Sequence, residues 1–281
     1  MRKVLPSFRL PERLASAFGR SVKVSVMGKT LHMDLRDQAV SSEIFAKGIW
    51  EPEETKFLEE ILQPGMVFVD IGANIGYYTV LASSLVGATG KVFAFEPDPK
   101  NFAFLKKNIT ENHCHNVLVN QKAVGAATGQ LLLYRSGKNF GDHRTYEPQD
   151  HRIREQGTTR MTVAVNAISL DDYFADRSES IDFIKMDIQG SEYNALVGMR
   201  AVLHRNPAVV ILTEFWPTGL LQAGVPPNVF LDEVRSQEFV IHRLGRGRLE
   251  EISDANILSR LAGDEYMSLV LSKKIRRVSQ V

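Results

Sequence analysis

The stretch that most constrains this chain runs from Val67 to Thr79, VFVDIGANIGYYT. Val67-Phe68-Val69 is a short apolar run rich in β-formers, which predicts a buried strand ending on Asp70. Gly72, Asn74 and Gly76 follow, and from Tyr77 to Leu85 the apolar residues return at helical spacing. A strand feeding a helix through a glycine-spaced turn gathers backbone N–H groups around a ligand at the helix N-terminus. Glycines let that backbone curl and come close to the ligand. Packing alone can also explain such a turn, so the next segment decides. KVFAFEPDPK reads as a second short strand ending on Glu96, with Pro97 and Pro99 behind it. An acid there, about 20 residues past the glycines, is placed to accept hydrogen bonds from ribose hydroxyls. The two segments together predict a nucleoside-bearing cofactor over the first two strands.

The loop D-I-G-A-N-I-G narrows the cofactor, because it lacks the G-x-G-x-x-G pattern. A pyrophosphate would meet the Asp70 carboxylate, whereas a cationic ligand with an amino-acid end tolerates it. S-adenosylmethionine is such a ligand. A nicotinamide dinucleotide, and with it an oxidoreductase, is the alternative.

At 281 residues and 44% apolar, the chain suits one α/β domain with an N-terminal extension, or at most two small domains. Its 34 basic and 33 acidic residues argue against broad electrostatic binding of nucleic acid. Lys273, Lys274, Arg276 and Arg277 form a short basic tail, read as solvated. The single cysteine, Cys114, rules out a disulfide framework, and its HCH setting lacks four-ligand metal spacing, so no metal is expected. No apolar run approaches the length of a membrane span, and the first 20 residues lack a signal-peptide core. A cytoplasmic setting is the expectation.

Residues 1–20 read as a loosely docked arm, and Val22 to Leu35 as a β-hairpin around a Gly-Lys turn. EPEETKFLEEIL follows, with Pro52 near a helix start and acids in the first turn. Asn101 to Asn112 is the next crossover helix, and Val117 to Asn120 a third strand. Asn120 at that strand's edge either faces an adenine or caps a turn. A polar insertion of about 24 residues, within 135–160, separates two further strands, Gln130 to Tyr134 and MTVAVNAI. Insertions of this length are more often functional loops than ordinary connections. Its Asn139, Asp142, His143, Arg144 and Tyr146 suit gripping a polyhydroxylated or anionic substrate; a solvated excursion is the other reading. Ser169 caps a short helix, Ile181 to Met186 is a strand ending on Asp187, and Val209 to Leu212 one whose edge carries Glu214. Ligands bind at this C-terminal edge in open α/β sheets. Two closing strands are expected at Phe239 to Leu244 and Tyr266 to Leu271.

The motifs EPEET, PGMVFVDIGANIGYYT, FAFEPDP, NQKAVG, SLDDY, IDFIKMDIQGSE and ILTEF, in this order, resemble the FkbM family of S-adenosylmethionine-dependent methyltransferases. The match covers about Trp50 to Leu244. The chain departs from the family pattern at Gln189, where a Glu is usual, so one acid is absent near the site. The resemblance implies a Rossmann-like class I methyltransferase fold. That is an α/β fold with a mostly parallel seven-stranded sheet and helices on both faces. Residues 1–49 and 245–281 lie outside the motifs; from the residues themselves 1–49 are expected as an N-terminal hairpin and helix extension, and 50–281 as the methyltransferase domain. The resemblance also implies O-methylation of a hydroxyl, often on a sugar or other small molecule. Asp70, Gly72, Asn74 and Gly76 would surround the methionine end of the cofactor. Glu96, with Pro97 beside it, would hold the ribose, Asn120 and Ala123 would border the adenine, and Asp187 would sit by the methyl group.

An alcohol is a poor nucleophile until its proton is accepted as the new bond forms, so a base is expected. Asp187 has the better position and His143 the better matched pKa, with Glu214 aligning the hydroxyl. Asn139, Asp142 and Arg144 are the candidate substrate contacts. A protein of this fold that binds the cofactor without chemistry is the competing reading, and oligomerisation is left open.

Overall fold

The computed structural model describes residues 21–148, 160–245, 248–261 and 264–273. The expected N-terminal arm, residues 149–159 of the polar insertion and the basic tail beyond Lys273 lie outside the described residues. The chain opens on an antiparallel hairpin of β1 (Val22–Val26) and β2 (Lys29–Met33). Its turn is Met27-Gly28, both at positive φ (50° and 73°), as a tight hairpin turn of this hand requires. The turn thus lies one residue earlier than the expected Gly-Lys, and Lys29 already belongs to the strand. Helices α1 (Val40–Lys47) and α2 (Pro52–Ile61) follow. Pro52, Glu53 and Glu54 fill the first turn of α2, where a missing N–H costs nothing and carboxylates are favoured.

Strand and helix then alternate: β3 (Val67–Ile71), α3 (Tyr77–Val86), β4 (Lys91–Phe95), α4 (Pro99–Glu111) and β5 (Val117–Asn120). The alternation breaks at β6 (Ala123–Val124), β7 (Gly129–Arg135) and β8 (Met161–Ile168), which form a separate three-stranded sheet. Helix α5 (Leu170–Tyr173) starts at Ser169, whose hydroxyl accepts from the Asp172 N–H at 3.0 Å. Next come β9 (Phe183–Met186), α6 (Glu192–Val197), α7 (Arg200–Arg205), β10 (Val210–Phe215), α8 (Pro217–Gln222) and α9 (Pro227–Ser236). The chain closes with β11 (Val240–Gly245), β12 (Arg248–Glu251), α10 (Asp254–Arg260) and β13 (Met267–Ser272).

The main sheet runs β12-β11-β13-β10-β9-β3-β4-β5. Strands β5, β4, β3, β9 and β10 are parallel, and β13 lies antiparallel between β10 and β11. This is the mostly parallel α/β sheet the motifs imply, with β12 added as an eighth strand at the edge. That strand carries a single apolar residue in Arg-Leu-Glu-Glu and is largely exposed, so no alternation announces it.

The central strands are buried on both faces, as parallel strands under two helical layers must be. Alternate residues serve opposite cores. Val69, Phe93 and Ile184 pack toward Leu196, Leu203 and Leu231, while Phe68, Val92 and Phe183 pack toward Leu58, Tyr78 and Val80. The rings of Phe68 and Phe183 stack at 5.6 Å. Parallel register pairs Ile71 with Phe95 and Met186, and Met186 with Thr213. The loops after β3, β4, β9 and β10 therefore open on one edge. Among the described residues no helix is long and apolar enough to cross a membrane.

Candidate active site

A cavity of about 710 Å³ opens over that edge, a size that accommodates a cofactor-sized ligand. Gly72 stands at its floor with φ 83°, and a Cβ there would fall 2.1 Å from the Asp187 carbonyl oxygen. Only glycine lets the loops after β3 and β9 run this close. Asn74, also at positive φ (52°), turns its N–H onto Glu96 Oε2 at 2.8 Å, while Oε1 accepts from the Asp98 N–H at 2.8 Å. Glu96 is almost fully buried, and its carboxyl is pushed up to about 8 by burial, with the nearby Asp98 charge adding to it and the two N–H groups opposing. A bare-backbone cradle with a buried acid at its far end fits a nucleoside whose other end is cationic. Pro97 and Ala123 line the same wall, joined by Asn101 and Lys122.

Three expected cofactor contacts are placed otherwise. Asp70 lies inside β3, 1% exposed and away from the cavity wall, with Oδ2 accepting from the Thr79 hydroxyl at 2.5 Å. The strand runs one residue past Asp70, to Ile71, which buries the acid. Asn120 turns its amide back on the sheet, donating to the Ala94 carbonyl at 3.3 Å, and does not line the cavity. The capped-edge reading of that residue is the one the geometry fits. Gly76 begins α3 at φ 89°, and a Cβ there would lie 2.6 Å from Leu105 Cδ1. It serves the packing of α3 on α4 and does not line the cavity.

The start of the insertion folds over the cavity as a roof. Phe140 donates its N–H to Asp37 Oδ1 at 3.0 Å, and its carbonyl accepts from Asn101 at 2.8 Å and Asn74 at 3.4 Å. Asn139, Asp142, His143 and Arg144 all line the cavity from this loop. Their polar groups are also engaged within it. Asn139 accepts from the Gly141 N–H at 2.9 Å, and Arg144 donates to Asp142 at 2.7 Å and to Gln222 at 2.7 Å while lying over the Trp216 ring.

His143 does not suit the role of base. Its Nδ1 accepts from the Ser136 N–H at 3.0 Å, which leaves the ring proton on Nε2, 3.8 Å from Asp98. Burial lowers its pKa to about 4, the Arg135 cation adds to this, and Asp98 opposes. The lone pair that would take a substrate proton is already used.

The other half of the cavity is acidic. Asp187 reaches it with its side chain 28% exposed; Oδ1 accepts from Gln189 at 2.9 Å and Oδ2 lies 3.7 Å from Lys185 Nζ. Gln189 also donates to Glu214 Oε2 at 3.2 Å. Glu214 is held well above the usual carboxylate range by burial and by the Asp187 and Glu192 charges. Behind them Glu51 accepts from the Tyr78 hydroxyl at 3.0 Å, and burial with the Glu54 charge raises its pKa as well. Lys185 is the buried cation of this group. Burial works against its charge, but Asp187, Glu54, Glu51 and Asp70 outweigh that and raise its pKa. Among the described residues no three His, Cys, Asp or Glu side chains stand in a group that could hold a metal ion.

Lys185 is a site residue that motif reading passed over. Its signal was present: a lysine inside the otherwise apolar F-I-K-M of a fully buried strand, two residues before Asp187 and so on the same face. Trp216, Asp264 and Tyr266 also line the cavity, and the last two come from a segment outside every motif.

Residues 70–235 match the family model described as the methyltransferase FkbM domain. The chain is 26% identical over 211 residues to the 2-O-methyltransferase NoeI of Sinorhizobium fredii, covering 70% of this chain and 84% of that protein. It is 31% identical over 165 residues to the 31-O-demethyl-FK506 methyltransferase FkbM of Streptomyces tacrolimicus, covering 49% of this chain and 61% of the relative. It is also 27% identical over 183 residues to the hexuronic acid methyltransferase AglP of Haloferax volcanii, covering 63% of this chain and 65% of that one.

Proposed function

The chain belongs to the FkbM methyltransferase family and is an S-adenosylmethionine-dependent methyltransferase, and on that premise we propose that it methylates a hydroxyl oxygen of a sugar or other small molecule. The observation that carries this reading is that Asp187, Gln189 and Glu214 open into the same cavity as Gly72 and Glu96. The names of the relatives support it, since two of them specify O-methylation and a third a hexuronic acid.

When bound, S-adenosylmethionine supplies a methyl carbon on a positively charged sulfur, whose bond to carbon breaks, leaving its electron pair on sulfur, as the new C–O bond forms. Glu96 would accept from the ribose hydroxyls, and the Gly72 loop would hold the amino-acid end. Asp187 takes the hydroxyl proton as the acceptor oxygen attacks; Lys185 and Gln189 hold its carboxylate in place. The Glu214 carboxyl fixes the acceptor from the opposite side. Positioning of this kind supplies much of the rate of an in-line transfer. Residues 50–281 form the methyltransferase unit in this reading. Residues 1–49 are its extension, which lends Gln38, Ala39, Val40 and Glu43 to the cavity wall.

The near balance of 34 basic and 33 acidic residues favours a small acceptor over a nucleic acid. The test is transfer of radiolabelled methyl from S-adenosylmethionine to a panel of uronic acids, oligosaccharides, hydroxylated macrolides and total RNA. Asp187→Asn should lower kcat by about 10²-fold or more while the dissociation constant for S-adenosylmethionine changes little. An Asp187→Asn enzyme of full rate, or label found only in RNA, overturns the reading.

A further inference from the structure

Gln189 occupies a position that its backbone does not favour. It sits at φ 54°, in the left-handed region where a residue with a Cβ is held only by its surroundings. Those surroundings are specific. The Tyr146 hydroxyl donates to the Gln189 carbonyl at 2.8 Å, and Thr145 and Ser191 share a hydrogen bond of 2.6 Å beside it. Gly190, next in sequence, lies so close to α8 that a Cβ would fall 2.6 Å from the Gly219 carbonyl.

The strained backbone aims the side chain at one point. Its single nitrogen lies 2.9 Å from Asp187 Oδ1 and 3.2 Å from Glu214 Oε2. A primary amide has two N–H donors, and one goes to each carboxyl. Two carboxyls this near each other need a positive or donating group between them. In enzymes where such a pair works in polar chemistry, that group is often a cation. Here the place is taken by an amide nitrogen, which donates but cannot ligate a metal. The surrounding charges do not offer a substitute. Of the two carboxyls the Lys185 ammonium pairs with Asp187, at 3.7 Å, Arg144 donates to Asp142 and Gln222, and the acids Glu192, Glu51 and Glu54 stand around Glu214.

We propose that Gln189 is a positioning residue, whose amide nitrogen ties Asp187 and Glu214 into one unit and fills the place between them that a divalent cation would need. The inference rests on the methyl-transfer reading for its kinetic consequence. It follows that transfer by this chain is independent of divalent metal. It follows too that replacing one amide by a carboxyl creates a metal requirement.

The test compares the full-length wild type with Gln189→Glu and Gln189→Leu, using retained S-adenosylmethionine binding to confirm that each variant folds. Manganese binding is read by electron paramagnetic resonance, and methyl transfer is measured with and without chelator. The wild type should bind no Mn²⁺ in the cavity and keep its rate in chelator. Gln189→Glu should bind Mn²⁺ and lose rate in chelator. Gln189→Leu should lose about 10²-fold in kcat, the cost of a misplaced catalytic group, with KM for S-adenosylmethionine unchanged and the pH–rate profile displaced. The carboxyl bands in the infrared, followed against pH, report the pair without any acceptor. They should titrate differently in the wild type and in Gln189→Leu. If no hydroxyl acceptor is methylated but the manganese and infrared results hold, the bridge stands and the acceptor reading falls. A wild type that binds Mn²⁺ in the cavity or stops in chelator overturns the inference. So does a Gln189→Leu variant with unaltered pH profile and carboxyl titration.

Discussion

Glu96 holds a proton that its proposed ligand has to displace. Burial pushes the carboxyl up to about 8 in the free protein, whereas two ribose hydroxyls donate best to the charged form. Binding should therefore release a proton below that pH. The dissociation constant for S-adenosylmethionine should fall by up to about tenfold per pH unit between about 6 and 8 and level off above. The ligand's own amino group titrates nearby, so the informative quantity is the difference between the wild type and Glu96→Gln, measured by calorimetry. Glu96→Gln should bind more weakly and lose this part of the pH dependence; parallel curves for the two proteins would show that Glu96 stays protonated in the complex. The same scale shows what a sequence conceals. The strand-tip rule leads to Glu96, because its position follows from element order alone. It cannot show that the His143 lone pair is spent on the Ser136 N–H, or that one more strand residue sinks Asp70 beneath the cavity. Those outcomes depend on contacts between residues far apart in the chain and on a boundary shift of one position.

At the scale of elements, strongly apolar segments were legible and polar ones were not. The strands β3, β4, β5, β9 and β10 follow from runs such as Val-Phe-Val and Val-Ile-Leu. The eighth strand and α10 are polar enough to pass for loop. The hairpin of β1 and β2 was readable as a hairpin, but its attachment was not. Two asparagines one turn apart, Asn108 on α4 and Asn112 capping its C-terminal end, take the place of a neighbouring strand. Asn112 accepts from the Thr30 N–H at 2.9 Å and donates to its carbonyl at 2.7 Å. Asn108 accepts from the His32 N–H at 2.6 Å and donates to the His32 and Ile75 carbonyls at 3.0 and 2.8 Å. Asn108 therefore joins the hairpin to the glycine loop. Asn108→Ala leaves three buried backbone groups without a partner and should destabilise the protein by about 2–4 kcal/mol, against about 1 kcal/mol for the half-exposed Asn112→Ala. Urea unfolding measures both, and equal losses would show that the hairpin is held by its apolar face instead.

For the molecule as a whole, the buried acids around one cavity set the direction in which stability depends on pH. Glu96 is raised from 4.5 to about 8 and Glu192 from 4.5 to about 7, in each case chiefly by burial. Glu51 and Glu214 are raised as well. A group whose folded pKa lies above its unfolded value binds more protons in the folded state between the two. Its contribution is complete below about 4.5 and is lost progressively until the folded pKa is passed. Asp34 opposes this trend at the acid end. Burial works against its charge, but Arg36 and Lys100 outweigh that and bring its pKa from 3.8 down to about 2. Its contribution is present above 3.8 and fades as pH falls towards 2. His143, lowered from 6.5 to about 4, opposes the trend too, since its contribution is present above 6.5 and is lost as pH falls towards 4. Above neutrality the raised acids set the slope, and stability falls as pH rises. From pH 6 to 8 Glu96 alone should cost about 2–3 kcal/mol, which for a chain of this size is roughly 3–5 °C in Tm. Calorimetric melting of the ligand-free protein across pH 4 to 9 measures the slope. Glu96→Gln, which has no proton to lose, should flatten its alkaline limb. A Tm that rises from pH 6 to 8, or a Glu96→Gln protein that declines as steeply as the wild type, would place the stored protons elsewhere in the cavity. Saturating S-adenosylmethionine should flatten the same limb in the wild type, since the carboxylate then gains the partners whose absence makes its ionisation costly.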